Sequence, residues 1–177
     1  MSAGVNFEIR SGVTLVCIDN PPVNALGAAI RQGILDAIDR ADADAGIKAV
    51  VLCGRGRCFS GGADITEFGK PRKQPFLSEL ITRIESAKKP IIAAIHGTAV
   101  GGGCEISLGC HYRVGDHTAQ YGLPEIKLGL LPGAGGTQRL PRLIGVEAAL
   151  GVILSGDYVD ATSALSQGFL DEIVEGD

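Results

Sequence analysis

The sequence predicts a layered α/β fold with a mainly parallel sheet, and three observations lead to this prediction. The runs KAVVLC (48–53) and PIIAAI (90–95) are almost wholly apolar, as is typical of strands covered on both faces of a sheet. Amphipathic helical patterns alternate with these runs, which indicates strand–helix–strand units. Clusters of glycine stand where a strand must turn into the next element.

Each predicted element has its own signal in the sequence. Strands 7–10 and 13–18 form a hairpin around Ser11-Gly12, and the prolines that follow end the second strand. Apolar residues at helical spacing predict helices at 28–41 and 77–87. The remaining elements are predicted as a strand at 48–53, a helix at 63–68, a strand at 90–95 leading directly into a helix with Glu105, strands at 112–115 and 119–122, helices from 135 broken at Gly145 and Gly156, and a strand at 171–174.

Composition and charge exclude several classes of protein. A length of 177 residues fits a single domain, 1–177, that buries a sizeable core. A net charge of −4 without a basic run argues against nucleic-acid binding. No secretory signal and no apolar run near roughly 20 residues is present, so we expect a soluble protein without integral membrane contact. Because the chain stops just after a predicted strand, we expect it to be cut from a longer protein.

Other polar residues give weaker signals. The five cysteines include no C-x-x-C pair, so we expect free buried thiols in a reducing compartment rather than a metal site or a disulfide. Three histidines lack both ligand spacing and a nucleophile elbow, which predicts structural or surface roles for His96, His111 and His117. Five cationic residues are predicted to be solvated, or in part to meet an anionic ligand tail: Lys70, Arg72, Lys73, Lys88 and Lys89.

Two glycine-rich turns follow one design, in which a buried strand is followed by glycines and then by a helix. The segments are 50–65 and 91–106. The first N–H groups of a helix have no partner within the helix, so each turn can direct donors at one point. Two converging donors make an oxyanion hole. Tight turns or a phosphate cradle are the alternatives, although neither turn has the Gly-Lys-Ser/Thr of a P-loop or a complete G-x-G-x-x-G.

Glu105 and Glu125 are the candidate acid–base residues. Glu105 follows the second glycine cluster in an apolar helix start, and Glu125 follows Pro124 in a mostly apolar segment. A carboxylate in such a place is either on a solvated helix face or tuned for proton transfer. Helical spacing puts Glu105 over the same turn as the glycine donors. The pair therefore predicts acid–base work on one substrate, with room for a water between the carboxyl groups.

Four ordered segments resemble the enoyl-CoA hydratase/isomerase (crotonase) family. They are NPPVNAL (20–26), FSGGADI (59–65), KPIIAAIHGTAVGGGCE (89–105) and GLPEIKLGLLPGAGGTQRLPRLIG (122–145). LGCHYRV (108–114) looks most like the N-terminal hydratase region of multifunctional β-oxidation enzymes, whereas Gly135 replaces an arginine common in those forms. The resemblance implies a spiral of ββα units, from which the usual C-terminal helical region is missing.

The resemblance also implies a reaction and a set of site residues. The reaction is the hydration of 2-enoyl-CoA to 3-hydroxyacyl-CoA in fatty-acid β-oxidation, through a thioester enolate. Glu105 matches the carboxylate that activates water, and Glu125 matches the group that exchanges the proton at the α-carbon. The substrate-binding residues implied are Ala63 and Gly102, whose N–H groups hold the thioester oxygen, Gly133, whose N–H helps to hold the water, and Asp64 and Ile65 beside Ala63.

Alternatives and context follow from the same resemblance. Isomerisation of 3-enoyl-CoA through Glu125 is a second activity to expect. The other readings are a different enolate-forming enzyme and a catalytically incomplete fragment that binds acyl-CoA. No cofactor is expected, since CoA is part of the substrate. The expected partners are copies of the same chain in a trimer-like assembly or a fused dehydrogenase region. The expected location is the peroxisome for a eukaryotic multifunctional enzyme, and otherwise the cytoplasm or mitochondrion.

Overall fold

Strands and helices alternate along the chain much as predicted. A computed structural model describes residues 4–71 and 73–175, so residues 1–3, Arg72 and residues 176–177 lie outside the described part. The strands are β1 (Val5–Arg10), β2 (Val13–Ile18), β3 (Ala49–Gly54), β4 (Ile91–Ile95), β5 (Thr98–Val100), β6 (Tyr112–Gly115), β7 (Gln120–Gly122), β8 (Val159–Asp160) and β9 (Glu172–Ile173). The helices are α1 (Ala28–Ala43), α2 (Leu77–Glu85), α3 (Gly102–Gly109), α4 (Gly136–Ile144), α5 (Val146–Ser155) and α6 (Ala161–Gln167).

The main sheet has the order β1-β2-β3-β4-β6-β9 within the described residues. β1 and β2 form the predicted antiparallel hairpin, in which Ser11 and Gly12 take the left-handed backbone (φ 50° and 82°) that a two-residue hairpin turn requires. From β2 onward every neighbouring pair is parallel. The prediction of a mainly parallel α/β sheet is therefore confirmed.

One face of the main sheet is covered by helices, and the other is half-open. The side chains of Val16, Ile18 and Leu52 are fully buried with residues of α1 and α2 in the apolar core. Each such side chain contributes about 1.5–3 kcal/mol by leaving water. The alternate positions, such as Cys17 and Cys53, are only half-buried. The prediction that these apolar strands are covered on both faces therefore holds for one face among the described residues.

A second, small sheet was not anticipated in full from the sequence. Strand β4 does not lead directly into the Glu105 helix, because β5 intervenes and pairs with β7. β8 then pairs antiparallel with β7. Strands of two or three residues leave too little periodicity to be distinguished from loop. This small sheet carries the chain from the end of β4 to the start of α3.

The helix predicted at 63–68 is wrong. Only a single 3₁₀ turn forms, at Ile65–Glu67, with Asp64 as its cap: the Thr66 N–H donates to Asp64 Oδ1 at 2.9 Å. Left-handed Gly69 (φ 72°) then turns the chain away. The carboxylate of Glu67 pairs with Arg31 at 3.0 Å, which holds the turn against α1.

Candidate active site

The segment after β3 runs beside β5 and brings two distant glycine turns together. The Ser60 N–H donates to Thr98 O at 3.0 Å, and the Val100 N–H donates to Ser60 O at 3.1 Å. This pairing extends the small sheet by one irregular strand. As a result, the first glycine turn (60–62) lies against the second (101–103), although some 40 residues separate them in the sequence.

Ala63 and Gly102 present adjacent backbone N–H groups at this contact. A Cβ on Gly102 would lie 3.2 Å from the Ala63 nitrogen and 2.7 Å from Leu77 Cδ2, so no larger residue fits there without movement. Within residues 4–71 and 73–175, neither N–H donates to a protein acceptor. Gly102 is the first residue of α3, where a free N–H is expected. Two unengaged donors side by side are the geometry that an oxyanion requires.

Glu105 lies inside the protein, with only 2% of its surface exposed. Its Oε1 accepts hydrogen bonds from the Ala134 N–H at 2.7 Å and the Gly136 N–H at 2.9 Å. Burial raises the pKa of Glu105, while these two N–H groups and Arg139 oppose the rise. The alternative of a solvated helix face is therefore excluded for Glu105.

The loop that holds Glu105 was not predicted from the sequence. Gly135 adopts the left-handed conformation (φ 101°, ψ 12°), which lets the residues on both sides direct their N–H groups at one oxygen. Arg139 fixes this loop by donating to Ala134 O at 3.0 Å while its guanidinium pairs with Glu85 at 2.6 Å. The donors lie 29 and 31 residues beyond Glu105, and only the glycines of the PGAGG segment hinted at them.

Glu125 comes from a later segment of the chain and faces the second glycine turn (101–103). It lies in the 3₁₀ turn Pro124–Leu128, and its Oε1 is 3.3 Å from the place a Cβ on Gly101 would occupy. Its Oε2 is buried and, among the described residues, accepts no hydrogen bond. Burial raises the pKa of Glu125 to about 7, and the nearby Glu105 charge adds to the rise.

The two glutamates thus lie at the same turn, and their carboxyl groups have different surroundings. The Glu105 N–H donates to Gly101 O at 2.9 Å, so Gly101 belongs to the turn that carries Glu105 and also faces Glu125. One carboxyl is held by two backbone donors, and the other has an unpartnered oxygen. Neighbouring carboxyl groups in unlike environments can act as base and acid at one pH.

The resemblance also implies Asp64, Ile65 and Gly133 as substrate-binding residues. Asp64 uses one carboxylate oxygen as a cap, as described above, and its pKa is lowered by the Thr66 hydroxyl and N–H. The Ile65 side chain is 70% exposed beside Ala63, so it offers apolar surface to a ligand. Gly133 is exposed, and its N–H has no acceptor within the described part of the chain. Their roles stay predictions.

The histidines take the structural and surface roles predicted for them. His96 Nε2 lies 3.0 Å from Gly56 O, and the Ile91 N–H donates to His111 Nδ1 at 3.1 Å. His117 is at the surface beside Glu175. The cationic side chains Lys70, Lys73 and Lys88 are exposed, and Lys89 is half-buried.

Comparison with known proteins adds an independent observation. The family model for enoyl-CoA hydratase/isomerase matches residues 8–177, nearly the whole chain. The chain belongs to the enoyl-CoA hydratase/isomerase family. The chain is 50% identical over 167 residues to a peroxisomal bifunctional enzyme of Danio rerio, a match covering 94% of the chain. It is 42% identical over 173 residues to a probable enoyl-CoA hydratase of Bacillus subtilis, again over 94% of the chain and 67% of that protein.

Solved structures confirm the fold expected for this family. An enoyl-CoA hydratase from Bacillus anthracis superposes with a TM-score of 0.91 at 32% identity, covering 97% of this chain and 70% of that one. The chain spans about a quarter of the length of the bifunctional relatives it matches, 23% in the Danio rerio protein. Among the described residues, no helix is both long and apolar enough to cross a bilayer.

Proposed function

We propose that this chain hydrates 2-enoyl-CoA thioesters to 3-hydroxyacyl-CoA, as a step of fatty-acid β-oxidation. The observation that carries the proposal is the pair of carboxyl groups, Glu105 and Glu125, beside two unengaged N–H donors. Membership of the hydratase/isomerase family and the names of the relatives support the same reaction. CoA belongs to the substrate, so the reaction needs no separate cofactor.

Glu105 is proposed as the base that activates water. The N–H groups of Ala134 and Gly136 occupy its Oε1, which leaves Oε2 to accept a proton from the water. The water oxygen then bonds to C3 of the enoyl group, and the exposed Gly133 N–H is proposed to orient it. A fixed orientation lowers the barrier because the reacting atoms meet without further ordering.

The displaced electron pair moves through C2 onto the thioester oxygen as an enolate forms. The N–H groups of Ala63 and Gly102 are proposed to hold that oxygen, with Asp64 and Ile65 lining the approach. Glu125 then gives its proton to C2. A pKa of about 7 suits this step, because a large fraction of Glu125 is protonated at neutral pH.

The same property of Glu125 favours a second candidate activity. A carboxyl with a pKa of about 7 both accepts and donates a proton near neutral pH. It could therefore move a proton between C2 and C4 of 3-enoyl-CoA, with the oxyanion donors holding the same enolate. We propose 3,2-enoyl-CoA isomerisation as a weaker activity that needs Glu125 and not Glu105.

The test is the loss of conjugated enoyl-CoA absorbance when the chain is added. Glu105→Gln and Glu125→Gln are each expected to lower kcat about 10²–10⁴-fold, the usual contribution of an acid–base group. Asp36→Asn, an exposed carboxyl on α1, is the matched control and should leave the rate unchanged. Unchanged turnover in both glutamate variants would overturn the proposal. Tight CoA-ester binding without turnover would favour an acyl-CoA-binding fragment. Release of free CoA would favour a thioester hydrolase.

The relatives also support proposals about context. Because the chain matches 23% of a peroxisomal bifunctional enzyme, we propose that its parent protein carries a further region, of which a dehydrogenase is one form. A trimer-like assembly of hydratase chains is the alternative. If the protein is a eukaryotic bifunctional enzyme, we propose a peroxisomal location. For any other kind of protein we propose the cytoplasm or the mitochondrion.

A further inference from the structure

Two cysteines lie side by side on neighbouring strands of the main sheet. Cys17 on β2 is the register partner of Cys53 on β3. In a parallel pair, register partners point to the same face, and neighbouring strands are about 4.8 Å apart. A disulfide needs Cα atoms about 4.4–6.8 Å apart. The sheet therefore already holds the two residues within the range that a disulfide requires.

Both thiols face the half-open side of the sheet. The residues next to them along the strands, Ile18 and Leu52, are fully buried on the helix-covered side. Cys17 and Cys53 are half-buried, whereas Cys58, Cys104 and Cys110 are buried. Cys53 also lines an open cavity of about 700 Å³ at the carboxyl ends of β3 and β4. A small solute can therefore reach this pair but not the other three thiols.

The surroundings favour a thiolate at this pair. The Cys53 thiol lies beside the Cys17 sulfur, and the Arg55 guanidinium adds positive charge nearby. Together they lower the pKa of Cys17 to about 7, although burial and the Glu8 charge act to raise it. The pKa of Cys53 is raised by the neighbouring Cys17 sulfur and by burial. Thiolate is the reactive form of cysteine, so Cys17 is the attacking group and Cys53 the second one.

We propose that Cys17 and Cys53 form a reversible disulfide when the protein meets a peroxide. The Cys17 thiolate attacks one peroxide oxygen, the O–O bond breaks, and the leaving hydroxide takes a proton to become water. The resulting Cys17 sulfenic acid is attacked by the Cys53 sulfur, which forms the S–S bond and releases a second water. Two thiols thus lose two electrons and two protons, and one hydrogen peroxide becomes two waters. This inference does not rest on the proposed hydratase activity.

Trypsin separates the cysteines in a way that makes the test direct. Cys17 falls in fragment 11–31, Cys53 in 49–55 and Cys58 in 58–72, while Cys104 and Cys110 share a fragment. The protein is treated with one equivalent of hydrogen peroxide, its remaining thiols are alkylated, and the digest is examined by mass spectrometry without reduction. The expected result is fragment 11–31 linked to 49–55, a fall from five free thiols to three, and full recovery with dithiothreitol.

Variants separate a specific pair from general oxidation. Cys17→Ser and Cys53→Ser should each abolish the linked fragment, and Cys58→Ser should leave it unchanged. Arg55→Ala should slow its formation severalfold, because the Cys17 thiolate loses its neighbouring charge. Peroxide that leaves all five thiols free, or that oxidises Cys17 without linking it to Cys53, would overturn the proposal. A dimer linked through Cys17 on a non-reducing gel would do the same.

Discussion

Replacing Glu125 by glutamine should make the protein more stable at neutral pH while removing activity. In the folded state the buried Glu125 Oε2 has no hydrogen-bond donor among the described residues, and the pKa of Glu125 is raised from 4.5 to about 7. Its carboxyl group therefore binds a proton more tightly in the folded than in the unfolded state. The contribution of Glu125 to the free energy of unfolding is therefore complete below about pH 4.5 and is lost as the pH rises through about 7. Glutamine has the same shape and never ionises.

The size of the effect follows from the pKa of Glu125. A rise of about 2.5 pH units corresponds to at most about 3.4 kcal/mol, at 1.36 kcal/mol per unit. Because the side chain is only partly buried, solvent screening reduces this figure. Above pH 7 we expect Glu125→Gln to be about 1–2 kcal/mol more stable than the unsubstituted chain. For a chain of this size this corresponds to a rise in Tm of about 2–8 °C.

Thermal unfolding followed by circular dichroism, at about pH 5 and about pH 8, measures this difference. The gain in Tm should be small at the lower pH and larger at the higher one. Asp36→Asn is the matched control, since that carboxyl is exposed on α1. Its Tm should equal that of the unsubstituted chain at both pH values. The reasoning would be refuted if Glu125→Gln were no more stable than the unsubstituted chain at pH 8. A gain in Tm of the same size at both pH values would also refute it.

Further predictions concern pH and the two glycine turns. As pH rises through about 7, kcat for hydration should fall, because Glu125 loses the proton it donates; a pH–rate profile checks this, and a rate that rises there would contradict it. Gly102→Ala places a Cβ 2.7 Å from Leu77 Cδ2 and should lower kcat about 10²–10³-fold in the absorbance assay, like loss of an oxyanion donor. Gly136→Ala places a Cβ 3.1 Å from Glu105 Oε1 and should lower kcat with the circular dichroism spectrum unchanged.

The sequence was sufficient for the main sheet and for the two glutamates. Apolar runs such as 48–53 and 90–95 mark strands by their short length and β-branched residues, even though the structure covers only one of their faces fully. Glu105 was recognisable as a charged residue in an apolar helix start, which is costly unless the charge is held. The family resemblance supplied the expected roles, and the structure brings both glutamates to the turn at Gly101.

Features made by long-range contacts could not be read from the sequence. Ala134 and Gly136 hold Glu105 only because left-handed Gly135 turns both N–H groups to one oxygen. Nothing local marks an alanine N–H as a donor to a side chain 29 residues away. The short strand β5 has too few residues for a period-2 pattern. The helix expected at 63–68 failed because the Asp64 cap and left-handed Gly69 end the turn after three residues.

The most direct test of the hydration proposal is to follow the oxygen of water into the product. The protein is incubated with 2-enoyl-CoA in water labelled with heavy oxygen, and the CoA esters are analysed by mass spectrometry. We predict a 3-hydroxyacyl-CoA that carries the label on C3, and no such product beyond background from Glu105→Gln. Unlabelled ester alone, or a labelled free acid with released CoA, would contradict the account.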